Sequence, residues 1–472
     1  MLKLFVVLIL LGVAAGIVAL FVRWEKEGRE HLVPLLLLGL LVVEATIYAD
    51  QITLPRSIFH PGSGSTQLRL PEIYIALALL ARLIARGKPT RIGLPAGLWL
   101  VFGAWMFVGA IEGVLYHNRL TQNLYEAKDI LYIVGAYALA AGVPVRRYID
   151  SGGLLRLGNL TVACITVVDL MTIAHISFNT RIPGLPLQNF GAVGSETAAI
   201  ALAIVTICFF VRLASGPVRT WHVLAFVPVV AGVALANQRA VLVNLAVVVA
   251  VLLVLLFAGP WRGAVQRFRV RAGQIVLVSL AVVGVALAVL FVPAAVNQQP
   301  VHIPLSSQFD RLFNSQGKVE SAQDRLNLAS SAEQLIPQHL FIGFGLGMEF
   351  NYYETGVRRV IPIAYAHNIV LDLWLRLGLI GLIMFVMAMG YSLVDGVNAW
   401  RRHPDPIVAA LALGIVVVLC GLLATAFLEP FLDEYRFATL FGVTLGMLRT
   451  SVTSMNYMSR NPAGQPALER VA

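Results

Sequence analysis

His367, in the run Tyr365-Ala366-His367-Asn368, stands at the mouth of a long apolar stretch. An unperturbed imidazole titrates near pH 6.5, about where a general base has to work. The same position suits an interfacial polar residue, with Asn368 capping the helix that follows. Arg239, in Asn237-Gln238-Arg239, lies in a very short turn between two apolar runs. Its guanidinium must therefore sit at or just under the membrane interface, where an unpaired and unsolvated charge is costly. It either snorkels toward the headgroups or clamps an anion, because a guanidinium matches phosphate oxygens bidentately. Arg325, in Ser321-Ala322-Gln323-Asp324-Arg325, falls on a predicted surface helix. It either pairs with a nearby acid or joins a cationic surface. Arg181, Arg311, Arg358 and Arg359 add positive charge on the same side of the membrane. A cationic site facing lipid fits an anionic, lipid-borne ligand such as a diphosphate.

Other motifs carry less chemistry. Gly343-Phe344-Gly345-Leu346-Gly347 is glycine-rich but lacks the Lys-Ser/Thr of a phosphate-binding loop, and it reads as a flexible turn. Glu44, Asp169 and Asp372 fall in or beside apolar runs, where an acid marks an ion path, a polar cleft or a basic neighbour. Cys164, Cys208 and Cys420 lie within apolar runs and read as packing residues, with no disulfide implied. The histidines have no metal-ligand spacing, so no metal site is expected.

The elements that position these residues follow from composition. The chain has 472 residues, 58% hydrophobic and 13% charged. Soluble domains are about 45–50% apolar and about 25% charged, so a water-soluble chain is excluded. Long apolar runs recur at 4–22, 33–49, 71–86, 92–114, 127–145, 152–176, 194–213, 219–236, 240–258, 273–293, 368–397, 405–426 and 434–448. Their continuity fits helices rather than alternating barrel strands. The first run lacks a small-residue cleavage site and is flanked by Lys26 and Arg29, so it reads as a retained helix. The chain is thus expected to be an all-α, polytopic integral membrane protein with about 13 transmembrane helices. About ten fall in 1–293 and about three in 368–448, separated by a large extracytoplasmic loop at 294–367. Residues 449–472 read as a cytoplasmic tail without fixed structure.

Basic residues set the orientation. Arg82, Arg86, Arg146, Arg147, Arg401 and Arg402 lie in loops of one set, which the positive-inside rule assigns to the cytoplasm. The net charge of +10 is then a matter of topology and anionic lipid, not of nucleic acid, which is not an expected partner. The loop 294–367 lies outside. It carries an amphipathic pattern over Ser321 to Gln334, with apolar Leu326, Leu328, Ala329, Ala332 and, just beyond, Leu335. A small folded cap with short amphipathic helices on the outer membrane surface is expected.

These residues resemble those of the O-antigen ligase and polymerase (Wzy/WaaL-type) superfamily. The resemblance rests on the Gly-rich turn Gly343–Gly347, on His367-Asn368 at a helix start, and on Gly378-Leu379-Ile380-Gly381-Leu382. Upstream, Gln238-Arg239 keeps the Arg of the family's turn, but Gln replaces the usual Ser. Arg325 matches an Arg before an amphipathic helix in the family's outer loop. The motifs cover about 237–385.

The resemblance implies a membrane glycosyltransferase without cofactor or metal, in the inner (plasma) membrane, working on the extracytoplasmic side. Its donor would be a polyprenyl-diphosphate-linked glycan and its acceptor a glycan or lipid-glycan hydroxyl, both reached along membrane lipids. His367 would be the base, and Arg239 and Arg325 would hold the diphosphate. Arg181, Arg311 and Asn368 are secondary substrate-binding candidates. Ligase, polymerase and protein O-glycosylation remain open, although enzymes of the last kind usually carry a longer C-terminal region. A transporter or flippase of lipid-linked glycans is the alternative. It would predict internal repeats, which the sequence lacks, and it leaves the cap unexplained.

Overall fold

The computed structural model describes residues 2–47, 69–86, 94–178, 195–216, 224–236, 239–258, 316–355, 358–428 and 434–460. A backbone in lipid satisfies its polar groups within its own segment, so apolar runs fold as helices. In chain order these are α1 (Leu2–Lys26), α2 (Leu32–Ile47), α3 (Leu70–Arg86), α4 (Leu94–Leu115), α5 (Leu120–Ala141), the short α6 (Val145–Asp150) and α7 (Gly153–Phe178). There follow α8 (Ser195–Ser215), α9 (Phe226–Leu235), α10 (Arg239–Ala258), α11 (Gln316–Leu335), α12 (Ile369–Arg402), α13 (Pro406–Ala426) and α14 (Tyr435–Arg460). Each apolar run that falls among the described residues coincides with a helix, and the run at 273–293 lies outside them. Among the described residues, 5 helices are long and apolar enough to cross a membrane by length and composition, in α4, α7, α8, α12 and α13. Apolar stretches of α2 and α10 are shorter. α14 continues to Arg460, so the beginning of the expected tail is helical, and residues 461–472 lie outside the described residues.

Burial sorts the helices by place. The apolar window of α8 is 89% buried and that of α13 is 78%, whereas that of α4 is 33% buried. A helix apolar on every side and covered on every side belongs at the centre of the bundle. α13 begins at Asp405, whose side chain accepts the Ile407 N–H at 3.0 Å, with Pro406 at the first helical position. The main pairings are α5 with α14, α13 with α8, α10 and α12, and α4 with α12. Gly442 and Gly446 on α14 let it close on α5: added Cβ atoms there would lie 2.4 Å from the Ile133 carbonyl oxygen and 2.6 Å from Ala140 Cβ. Small residues four apart allow this approach between membrane helices.

Polar side chains gather at the two ends of the bundle. At one end Arg82 and Arg86 both hold Glu25 at 2.8 Å, Arg147 pairs with Glu30, and Arg146 pairs with Asp405. At the other, Tyr132 bonds Glu72, Tyr435 bonds Glu44, and Arg69 lies over the rings of Tyr125 and Tyr435. Arg82, Arg86, Arg146 and Arg147 are the loop arginines that the charge rule groups together, and they share the first end.

In the segment expected to form a cap, the described residues make α11, a 3₁₀ turn at Ile336–His339 and a two-stranded hairpin. β1 (Phe350–Glu354) pairs antiparallel with β2 (Arg359–Ile363), with Phe350 opposite Ile363. The hairpin is a small departure from the all-α expectation in an otherwise helical structure. Phe350 and Tyr352 point inward while Asn351 and Tyr353 point out, a period of two over a stretch too short to stand out in the sequence. α11 buries Leu328 and Ala332, as its pattern predicts, but Leu326 is 63% exposed. Leu328, Ala332, Ile336, Met348, Phe350, Tyr352, Ala366 and Leu375 form a separate small core that joins the cap to α12. Asp324 accepts the Thr355 N–H at 2.5 Å, and Asn327 donates to the Tyr353 carbonyl at 2.9 Å, tying α11 to the hairpin.

Candidate active site

α12 is broken. Gly378 has φ 68° and ψ −176°, which no helix contains, so α12 is two half-helices meeting at an angle. A break inside an apolar bundle strands carbonyls on one side and amides on the other. The glycine-rich turn supplies the missing partners. Phe344 and Gly345 donate their N–H groups to the carbonyls of Leu375 and Arg376 at 2.9 and 3.0 Å. In return the carbonyls of Leu340 and Phe341 accept from the N–H groups of Leu379 and Ile380, at 2.9 and 3.2 Å. Trp105 on α4 covers the Leu377 carbonyl at 2.9 Å.

The turn is therefore not flexible, contrary to the reading from sequence. Gly343, Gly345 and Gly347 have φ of 86°, 79° and 76°, and all three are buried. A Cβ on Gly345 would meet the Gly113 nitrogen at 2.1 Å. Glycine is required here by backbone sign and by space at once. The turn is held from the other side by Asn118, which donates to the carbonyls of Phe344 and Leu346 at 2.8 and 3.0 Å. The Leu346 N–H reaches the Gly109 carbonyl at 2.9 Å, and the Gly347 N–H reaches Glu126 at 2.8 Å.

The first half of α12 carries the candidate base at its mouth. Asn368 is the N-cap: its side chain accepts from the N–H groups of Val370 and Leu371 at 2.9 and 3.4 Å. It fills the capping role weighed for it from sequence. His367 precedes it, half-buried, with its ring edge-on to Tyr365 at 5.2 Å. The segment Ala364–Ala366 is pinned beneath it. Asp372 accepts the Ala366 N–H at 3.0 Å, and Arg376 donates to the Ala364 carbonyl at 2.5 Å. Arg376 is 5% exposed and is shared between two carboxylates, Glu126 at 3.1 Å and Asp372 at 3.2 Å.

The remaining sequence candidates are placed less completely. Arg325 lies in the middle of α11 rather than ahead of it, half-buried, one turn from the buried Leu328. Leu328, on the helix bearing Arg325, and Ala366, next to His367, belong to the same cap core. Arg239 is the first residue of α10; its side chain lies outside the described residues. Arg181 and Arg311 also lie outside them. Arg358 and Arg359 are exposed on the hairpin. Of the acids, Asp372 has the basic neighbour that was one of its three readings, and Glu44 lies 3.9 Å from Arg436. Asp169 is 4% exposed, and neither carboxylate oxygen has a hydrogen-bond partner among the described residues.

Sequence reasoning passed over Arg376 and Glu126. Arg376 had a signal: it stands four residues after Asp372 in an otherwise apolar stretch, the spacing of a helical ion pair. Glu126 had none, because its partner Gly347 is 221 positions away.

No curated protein matches the chain by sequence. The family model Wzy_C, described as O-antigen ligase, matches residues 224–386. That stretch contains Arg239, the cap, the glycine turn, His367 and the break at Gly378. Residues 224–386 of this multi-pass membrane chain are thus similar to the O-antigen ligase family.

Proposed function

We propose that the protein transfers a glycan from a polyprenyl-diphosphate carrier to an acceptor hydroxyl at the extracytoplasmic face of the inner membrane. The observation that carries this reading is the assembly at the cap: a glycine turn locked into a broken helix, with His367 and its N-cap at the mouth of that helix, all inside the O-antigen ligase match. The acceptor oxygen attacks the anomeric carbon, and its proton passes to the His367 imidazole. The bond from that carbon to the diphosphate oxygen breaks, and the electron pair leaves with the lipid diphosphate. A direct displacement inverts the anomeric carbon. Arg239 and Arg325 offset the negative charge growing on the leaving group, as cations aimed at developing charge do. The imidazolium returns its proton to water outside. Both substrates move along the bilayer, so much of the rate comes from alignment. The acceptor is a lipid-linked repeat or a lipid-A core.

Purified protein in nanodiscs, given a synthetic polyprenyl-diphosphate disaccharide and either acceptor, should release sugar from the lipid and elongate the acceptor. His367→Ala should lower kcat by roughly 10²–10⁴-fold. Arg239→Ala and Arg325→Ala should act chiefly on donor use. If the unmodified protein releases no sugar with any acceptor, the transferase reading fails and transport of the same lipid takes its place.

A further inference from the structure

We propose that Glu126, Arg376 and Asp372 are positioning residues that set the place of His367. The proposal rests on the reading of His367 as the base. His367 is flanked by fixed points on both sides. Ahead of it, Arg376 holds the Ala364 carbonyl and Asp372 holds the Ala366 N–H. Behind it, Asn368 is bound into the first turn of α12. The backbone at His367 cannot shift without breaking one of these bonds, and the Tyr365 ring limits the imidazole from the side.

The two carboxylates each do two tasks. Asp372 Oδ1 takes both the Ala366 N–H and an Arg376 nitrogen. Glu126 Oε2 takes both the other Arg376 nitrogen and the Gly347 N–H. Arg376 thereby links α5, the glycine turn, α12 and the His367 segment through one guanidinium. A planar fork of donors can hold several acceptors in one geometry, which an ammonium cannot. Glu126 and Arg376 are buried and the Asp372 side chain is 13% exposed, so competing water dilutes the links little. A network built only to hold α12 against α5 would have no use for bonds to Ala364 and Ala366.

Positioning errors of about 1 Å cost on the order of 10²-fold in rate. Full-length protein in nanodiscs would be assayed with the polyprenyl-diphosphate disaccharide as donor and the same lipid as acceptor. Glu126→Gln and Asp372→Asn keep the shape and one acceptor oxygen while removing the charge. The expected result is a kcat lowered roughly 10–100-fold in both, a donor KM within threefold of the original, and a Tm lowered less than in Arg376→Ala, since each carboxamide still accepts a hydrogen bond. Arg376→Lys should recover less than a tenth of the original kcat, because it lacks the fork. Carbethoxylation of His367 by diethylpyrocarbonate, followed by peptide mass spectrometry, should change at least threefold in rate in Asp372→Asn. A kcat within twofold of the original in both carboxamide variants would overturn the proposal. So would a lowered kcat with an unchanged His367 modification rate, since the loss would then reach the reaction by another route. Failure of the base reading is separate: it would appear as full activity in His367→Ala, a variant in which the network is intact.

Discussion

Arg376 carries a full charge where water hardly reaches. Its guanidinium is tolerated because Glu126, Asp372 and the Ala364 carbonyl replace the lost hydration. Removing one partner of a buried pair costs about 3–5 kcal/mol, since the remaining charges stay buried without compensation. Arg376→Ala should therefore lower Tm sharply, and a variant that melts with the unmodified protein would mean that the carboxylates are not held as described. Measured by thermal unfolding in detergent, the loss should exceed that of Arg325→Ala, because Arg325 is half-buried on the cap surface. At this scale the sequence is legible where local rules apply. His367 and Asn368 are visible as a polar pair opening an apolar run, and Asn368 does cap the helix. Arg376 and Glu126 are not, because their meaning lies in contacts between distant segments.

The break in α12 belongs to the scale of elements. Hydropathy reads 368–397 as one span, since a single Gly378 barely alters an apolar average. What divides the helix is a backbone sign that only glycine adopts freely, at φ 68°. With ψ at −176° the backbone lies in a region essentially confined to glycine, where strain is on the order of 1–3 kcal/mol. At Gly378 an L side chain would also set a Cβ 2.1 Å from the Phe341 carbonyl oxygen, so the turn would have to withdraw. Gly378→Ala should thus lower Tm and abolish transfer while His367 and the arginines remain in the sequence. Retention of the original kcat by that variant would show the docked turn to be dispensable. The same contact explains why the turn was misread. Glycine-rich sequence signals freedom in isolation, and here that freedom is consumed in meeting a helix end. The hairpin was missed for a related reason: five residues of alternation are a weak signal beside long apolar runs.

For the whole molecule, the helical membrane class was legible because bilayer thickness and backbone satisfaction leave few choices. Every described apolar run is a helix, and four arginines that the charge rule groups together, Arg82, Arg86, Arg146 and Arg147, share one end of the bundle. That end also holds two buried histidines in turns between helices, His31 and His403. Burial keeps both imidazoles below their ordinary pKa, in His31 against the pull of Glu30 and in His403 against that of Asp405. A histidine held neutral in the fold contributes stability above its unfolded pKa, near 6.5, which is lost as pH falls below it. Tm should be level above about pH 7 and drop progressively from pH 6.5 to 5. Scanning calorimetry across that range checks this, and His403→Gln should remove part of the slope. A Tm that rises on acidification would contradict the burial of these rings.

The docked turn also bears on how the chain is made. The partners that complete the α12 break are Trp105, the carbonyls of Leu340 and Phe341, and the N–H groups of Phe344 and Gly345. All of them precede α12 in the chain. When α12 leaves the ribosome, everything needed to satisfy its interrupted backbone has already been synthesised. The half-helices need not wait in hydrocarbon with bare peptide groups for a later segment. The order of the sequence thus lets the receptacle be complete before the broken helix enters it.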